Sequence, residues 1–247
     1  MTFFLLTTIL FQYESGFDSF FPGANRIFRI EGNLRLDNGS LLRQAATPFP
    51  ETESLGMDFE EIESAVRISS PLPKSVLGYG NRQKTAVRDG IWADTDLFTV
   101  FRIPFIQGAA ETALSQPGTL VLSERLASLM FGGINAVGQT VIFNNLTSCR
   151  VTGVFKPLPR NTHIQFSYVV SRDVSGERKN AWDSGMVFTY VCLRKGYRPG
   201  ELKERLGILL EDADQPEKEV ILKPLKKIHL GGNSYFDFET DKKKGTI

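Results

Sequence analysis

RIFRIEGNLRL, residues 26–36, alternates apolar and polar side chains. Phe28, Ile30, Leu34 and Leu36 share one parity, and Arg29, Glu31, Asn33 and Arg35 share the other. A period of two predicts a β-strand with one buried face. The turn residues Asp37, Asn38, Gly39 and Ser40 follow, so 41–46 are expected to return as the second arm of a hairpin. Pro48 and Pro50 then precede Leu55, Phe59, Ile62 and Val66, whose spacings of four, three and four predict a helix. A strand over 66–70 is expected to end at Pro71.

The other end of the chain repeats this order. Residues 187–193 read as a strand, and Pro199 opens a helix with Leu202, Leu206, Leu209 and Leu210 on one side. Residues 220–222 begin a last strand, with Pro224 expected at a sheet edge. Between the two ends the texture changes at Pro71, Leu72 and Pro73 to short strands and tight turns. Trp92, Phe98, Phe101 and Phe105 are read as core. A strand over 119–122 leads into a helix capped by Ser123 and ended by Gly132 and Gly133. Strands over 140–143 and 149–155, a proline-punctuated connection over 156–161 and a strand over 164–171 complete the middle. The fold class is therefore α+β: a split strand–helix–strand unit from both chain ends, with a small α/β-rich unit inserted.

The N-terminal stretch MTFFLLTTILF carries no charge, and the first basic residue is Arg26. A secretory signal would show a basic start and a small-residue cleavage site, and neither is present. Two readings fit: a buried core helix, or the outer half of a transmembrane helix whose first half lies outside this chain. Tyr13 suits a membrane interface on the second reading. The lysines at 242–244 fit either a chain about to re-enter a membrane or a solvated tail.

Composition points away from several classes. The 247 residues carry a net charge of +1, which lacks the electrostatic footprint of a nucleic-acid binder. The net charge is −4 through Ser123 and +5 from Glu124 onward, which favours contact between subdomains or a basic end near a membrane. The acids Glu51, Glu53, Asp58, Glu60, Glu61 and Glu63 lack the spaced, glycine-containing loop of an EF-hand and read as a solvated helix face.

Catalytic devices are not apparent either. CxxC, HExxH and GxSxG are absent. The only histidines, His163 and His229, have no neighbouring Ser or Cys motif, and each is read as a structural residue bonded to backbone. Glycines at 78 and 80 and at 132, 133 and 138 do not match a phosphate-binding loop and read as turns. Cys149 and Cys192 fall in different predicted strands and read as two buried thiols, with pairing left open. Asn38-Gly39-Ser40 and Asn145-Leu146-Thr147 fit a glycosylation sequon, but a hairpin turn accounts for each. No catalytic, cofactor or metal residue is assigned.

The order of segments carries a resemblance. YESGFDSFFPGANRIFRI at 13–30 is similar to the start of the extracytoplasmic domain in MacB/FtsX-type ABC transporter permeases. The likeness continues through ADTDLFTVFRIPFIQGAAETALSQPGTLVLSERLASLMFG at 93–132, AVGQTVIFNN at 136–145, CRVTGVFKPLPRNTHIQF at 149–166 and LKPLKKIHL at 222–230. Ala136 stands where the family often has proline, and Gly23 and Asn25 stand where it often has Asn and Asp. Residues 171–186 align poorly.

The resemblance implies a MacB-like periplasmic core domain with a porter-like subdomain and an inserted small subdomain. Residues 1–12 would be the outer half of a membrane helix, 13–72 and 164–247 the porter-like parts, and 73–163 the insert. It implies a non-catalytic domain on the periplasmic side of a bacterial inner membrane, coupling ATPase-driven helix motion to export or to a periplasmic partner. ATP would bind a separate cytoplasmic ATPase, with no cofactor in this chain, and a second permease copy would complete a dimer. A ligand-binding sensor between two membrane helices is the alternative. Hinges are expected at 71–73 and 156–159.

Overall fold

The computed structural model describes residues 2–35, 38–46, 55, 58–80, 83–132, 135–171, 187–212, 218–231, 234, 237 and 238. The α+β class holds: one large sheet carries few helices. At one end of the sheet, β1 (Ile27–Arg35) lies between β13 (Lys218–Pro224) and β12 (Val187–Leu193), all antiparallel. Further along, β1 also pairs with β2 (Leu41–Gln44), the expected hairpin. Pro224 falls on β13 at the sheet edge, where a missing amide donor is tolerated. β3 (Ile62–Ser69) follows β12, again antiparallel.

The other part of the sheet begins with β6 (Gly90–Ala93), parallel to β11 (Tyr168–Ser171). β8 (Thr119–Ser123), β10 (Thr147–Phe155), β9 (Thr140–Phe143), β4 (Ser75–Tyr79) and β5 (Gln83–Val87) continue outward, and β7 (Phe105–Gln107) pairs with β10. The two parts meet where β3 touches β6, through the ladder pair Ile68 with Ala93. Around that pair, the Asp94 amide donates to Arg67 O at 3.1 Å, and the Arg67 guanidinium meets the Asp94 carboxylate at 2.9 Å. The Trp92 amide donates to Ser69 Oγ at 2.9 Å.

The helix expected over 55–66 stops early: Leu55 and Asp58 are helical, but its later part is corrected. Ile62 and Val66 belong to β3, and the chain is already extended at Ile62. The cause lies in the ladder: Cys192 faces Ser64 but Leu193 faces Ile62, so Glu63 is a bulge. The extra residue sends Ile62 and Ala65 to one face and Val66 and Ile68 to the other. Apolar residues then recur at helix-like spacing on a strand buried on both sides. The acidic run is also corrected. Asp58, Glu60 and Glu63 are exposed, Glu63 pairing with Arg26 and Arg102, but Glu61 is buried against Arg205. Glu51 and Glu53 lie outside the described residues, as do 172–186 and 239–247.

Three apolar clusters hold the sheet. The largest spans the junction of β3 and β6, joining Ile27, Val66 and Tyr190 to Ile91, Phe155 and Ile164, and α2 (Leu97–Phe101) packs into it. A second joins α3 (Glu124–Phe131) to Leu120, Leu122, Val151 and Tyr168. Ser123 caps α3 by accepting from Leu126 N, and Gly132 ends it at φ +67°. The third packs α4 (Pro199–Asp212) through Leu202 and Leu206 onto Phe28, Ile30 and Val191.

α1 (Thr2–Ser15) packs differently. Phe4, Leu6, Ile9 and Phe11 are exposed, which sets aside the buried-core-helix reading of this stretch. Among the described residues, no helix is long and apolar enough to cross a membrane.

Candidate functional site

The alternation of β1 predicts one wet face, but residues 27–31 are buried on both. Arg29 and Glu31 lie on the face expected to be polar and exposed, and both are 0% exposed. Burying either charge alone would be strongly unfavourable, so each must be paired. Arg29 Nε donates to Glu31 Oε1 at 2.9 Å, and Arg29 Nη1 donates to Asp237 Oδ1 at 2.8 Å. Glu31 Oε2 also accepts from Arg43 Nε at 2.9 Å and from Ser234 Oγ at 3.3 Å. Lys223 Nζ stands 3.6 Å from Glu31 Oε1. Strand β1, strand β13 and the segment after it are thus joined by charge.

The electrostatics follow from this pairing. Burial works against the Arg29 charge, but Tyr190, Asp237 and Glu31 raise its pKa above the ordinary arginine value. Burial opposes ionisation of Asp237 too, yet the Arg29 hydrogen bond and charge hold its carboxyl below the usual range. Burial pulls the Lys223 ammonium down, against the Glu31 charge. Burial pushes the Tyr190 phenol up.

Tyr190 extends the charged cluster toward α1. Its hydroxyl lies 2.8 Å from His163 Nε2, and His163 Nδ1 lies 2.8 Å from Asp18 Oδ2. Asp18 Oδ1 accepts from the His163 amide at 3.2 Å and from the Thr162 hydroxyl. The Asp18 amide donates to Asn161 O at 3.0 Å, and Asn161 Nδ2 donates to Gly16 O at 3.1 Å. The turn leaving α1 is therefore fastened to 161–163, the middle of the connection from β10 to β11.

A second clasp holds the end of α1. His229 Nε2 meets Glu14 Oε2 at 2.7 Å, and the imidazole stacks on Phe17 with ring centroids 3.4 Å apart and planes 3° apart. His229 follows the 3-10 turn Leu225–Lys227, which directly succeeds β13. The chain entering the sheet and the chain leaving it are thus bound side by side.

Both histidines correct the backbone-bonded expectation: their ring nitrogens meet side chains, Asp18 and Tyr190 for His163 and Glu14 for His229. An acid, an imidazole and a phenol in series resemble an acid–base relay. However, the side chains of Asp18 and His163 are 0% exposed, so a substrate has no contact with the ring. The surface groove along α4, lined by Arg198, Lys203, Glu204 and Ile208, lies on another part of the molecule. Among the described residues, no cluster of His, Cys, Asp and Glu could hold a metal ion.

The remaining candidates are structural. Cys149 and Cys192 are free and buried, in different apolar clusters. Gly80, Gly132 and Gly138 have positive φ and serve turns. Asn38 Oδ1 accepts from the Ser40 amide, and Asn144 and Asn145 both adopt positive φ between β9 and β10, so each sequon is a turn. Sequence reading missed Glu14, Asp18, Tyr190 and Asp237. Arg29 and Glu31 were visible but assigned to solvent.

A family model described as MacB-like periplasmic core domain matches residues 1–208. No curated protein matches the sequence. Among solved structures, a domain of a putative permease from Porphyromonas gingivalis is 20% identical with a TM-score of 0.70, covering 83% of this chain and 91% of its own. The periplasmic region of MacB from Actinobacillus actinomycetemcomitans is 16% identical with a TM-score of 0.55, covering 91% and 95%. The extracellular domain of the noncanonic ABC-type transporter YknZ from Gram-positive bacteria is 15% identical with a TM-score of 0.52, covering 79% and 99%. At these identities the structures establish a shared fold.

Proposed function

Because this chain belongs to the MacB-like periplasmic core domain family, we propose that it is the non-catalytic extracytoplasmic arm of an ABC-type permease in a bacterial inner membrane. It couples helix motion, driven by a cytoplasmic ATPase that binds the ATP, to export of a substrate or to a periplasmic partner. α1 is read as the outer half of a membrane helix, consistent with its exposed Phe4, Leu6, Ile9 and Phe11. A second permease copy completes the assembly.

The observation that carries this reading is the double clasp of α1. Glu14 and Phe17 bind His229 after β13, while Asp18 binds 161–163. A displacement of α1 is thereby passed to both parts of the sheet. The proposed lobes are 13–72 with 164–247, and 73–163, with β11 of the returning chain hydrogen-bonded to the second lobe. The proposed hinges are 71–73 and 156–159, beside the β3 to β6 junction, where the ladder has a single residue pair. Relative motion of two lobes about such connections is the ordinary hinge mechanism of a coupler.

A reversible lock tests the reading. Ile68→Cys with Ala93→Cys places two thiols on facing positions of β3 and β6. In the full-length permease with its ATPase, oxidation is expected to abolish the coupled output and reduction to restore it. Full output from the oxidised protein, with the bond verified, would exclude motion at this junction.

A further inference from the structure

We infer that Asp18 is the positioning residue through which α1 drives the lobe formed by 73–163; this rests on the coupling reading above. Asp18 sits three residues after α1 and is completely buried. Its main chain and carboxylate make bonds to three successive residues of one segment. The amide goes to Asn161 O, Oδ1 takes the Thr162 hydroxyl and the His163 amide, and Oδ2 meets the His163 ring. Asn161 returns a bond to Gly16 O. The covalent route from Asp18 to β1 runs instead through residues 19–26, with a 3-10 turn at Ala24–Arg26. The hydrogen-bonded route to 161–163 is immediate.

The backbone supports the same assignment. Asp18 adopts φ +58°, a left-handed conformation that Asp and Asn tolerate better than other residues with a side chain. This conformation accompanies an Asp18 amide that reaches Asn161 and a carboxylate that reaches His163. Glycine would accept the conformation and lose every carboxylate bond. Residues 161–163 lie within the stretch 156–167 that carries the chain from β10 past the prolines at 157 and 159 to β11. Moving them shifts the anchor of the inserted lobe. His163 then passes the remaining load to Tyr190 on β12.

Asp18→Asn is the informative substitution, because it keeps the shape and the backbone tolerance while removing the charge. Spin labels at the exposed positions Ser128, on α3, and Glu204, on α4, report the separation of the two parts of the sheet. The measurement uses the full-length permease assembled with its ATPase. The unaltered protein is expected to change this distance on adding ATP. Asp18→Asn is expected to keep ATP turnover and lose most of that change, a separation that a purely stabilising role would not produce.

Thr162→Val, which deletes one donor to the same carboxylate, is expected to give a partial loss. It decides the matter if Asp18→Asn does not assemble: a full distance change in Thr162→Val overturns the assignment. A full change in a folded Asp18→Asn protein overturns it directly. No ATP-driven change in the unaltered protein would sink the coupling reading and this inference together.

Discussion

Asp237 lies 2.8 Å from Arg29, across 208 positions of sequence. The contact ties the segment after β13 to the centre of β1, and Arg29 simultaneously holds Glu31 in the same buried space. Removing Arg29 would leave Glu31 partnered by the part-exposed Arg43 and by Lys223 at 3.6 Å. Breaking a buried ion network at one member typically costs about 3–5 kcal/mol. Arg29→Ala is therefore expected to lower stability by about that amount in urea denaturation. A loss indistinguishable from an exposed arginine substitution would show that the network is energetically idle.

The pH dependence follows from Asp237. Its folded pKa is depressed, so its ionised form stabilises the native state above the unfolded carboxyl value of roughly 3.9. That contribution disappears as pH falls through the folded value. The stability gap between the unaltered protein and Asp237→Asn is expected to be full at neutral pH and to shrink below about pH 4. Urea midpoints measured across that range check this, and a gap that widens on acidification would contradict it.

Much of this architecture was readable from local pattern. β12, α4 and the strand before the Ser123 cap all announce themselves by apolar spacing and turn residues. Local pattern failed at Glu63, where a bulge made a strand mimic helical spacing. It failed again at Arg29 and Glu31, because alternation cannot tell a solvated face from one covered by a distant segment. Asp18 carries no local signal at all. Its partners lie about 145 residues downstream, and only the assembled fold brings them together.

The clasp between α1 and the segment after β13 has two separable parts. Glu14 supplies a charge to His229, and Phe17 supplies a stacked ring. Glu14→Gln removes only the charge, whereas His229→Ala removes both contacts. His229→Ala is expected to accelerate amide hydrogen exchange in the last turn of α1 more than Glu14→Gln does. Equal effects would assign the whole clasp to the Glu14 contact.

Gly90 marks a close approach of two strands. It faces Tyr168 in the β6 to β11 ladder, and a Cβ there would lie 1.9 Å from Tyr168 Cζ. The tyrosine is completely buried, so it has little room to move. Overpacking of this kind costs about 1–3 kcal/mol. Gly90→Ala is expected to lower the urea midpoint accordingly, and Gly90→Ala with Tyr168→Phe is expected to recover little, because the ring carbon itself is in the way.

The two thiols provide a last, independent check on the core. Cys149 is completely buried, and burial pushes its pKa up to about 11. Burial also raises that of Cys192, partly offset by Arg26. The thiolate is the reacting form, so at pH 8 the Cys149 shift alone suppresses modification roughly 100-fold relative to an exposed thiol with the usual value. Access through the packed clusters slows it further. A soluble aromatic disulfide reagent is expected to leave both cysteines unmodified over minutes in native buffer and to titrate two thiols in urea. Rapid native reaction at Cys192 would mean that the face of β12 beneath Arg26 opens readily, and would place local unfolding at the third strand of the sheet rather than at the proposed hinges.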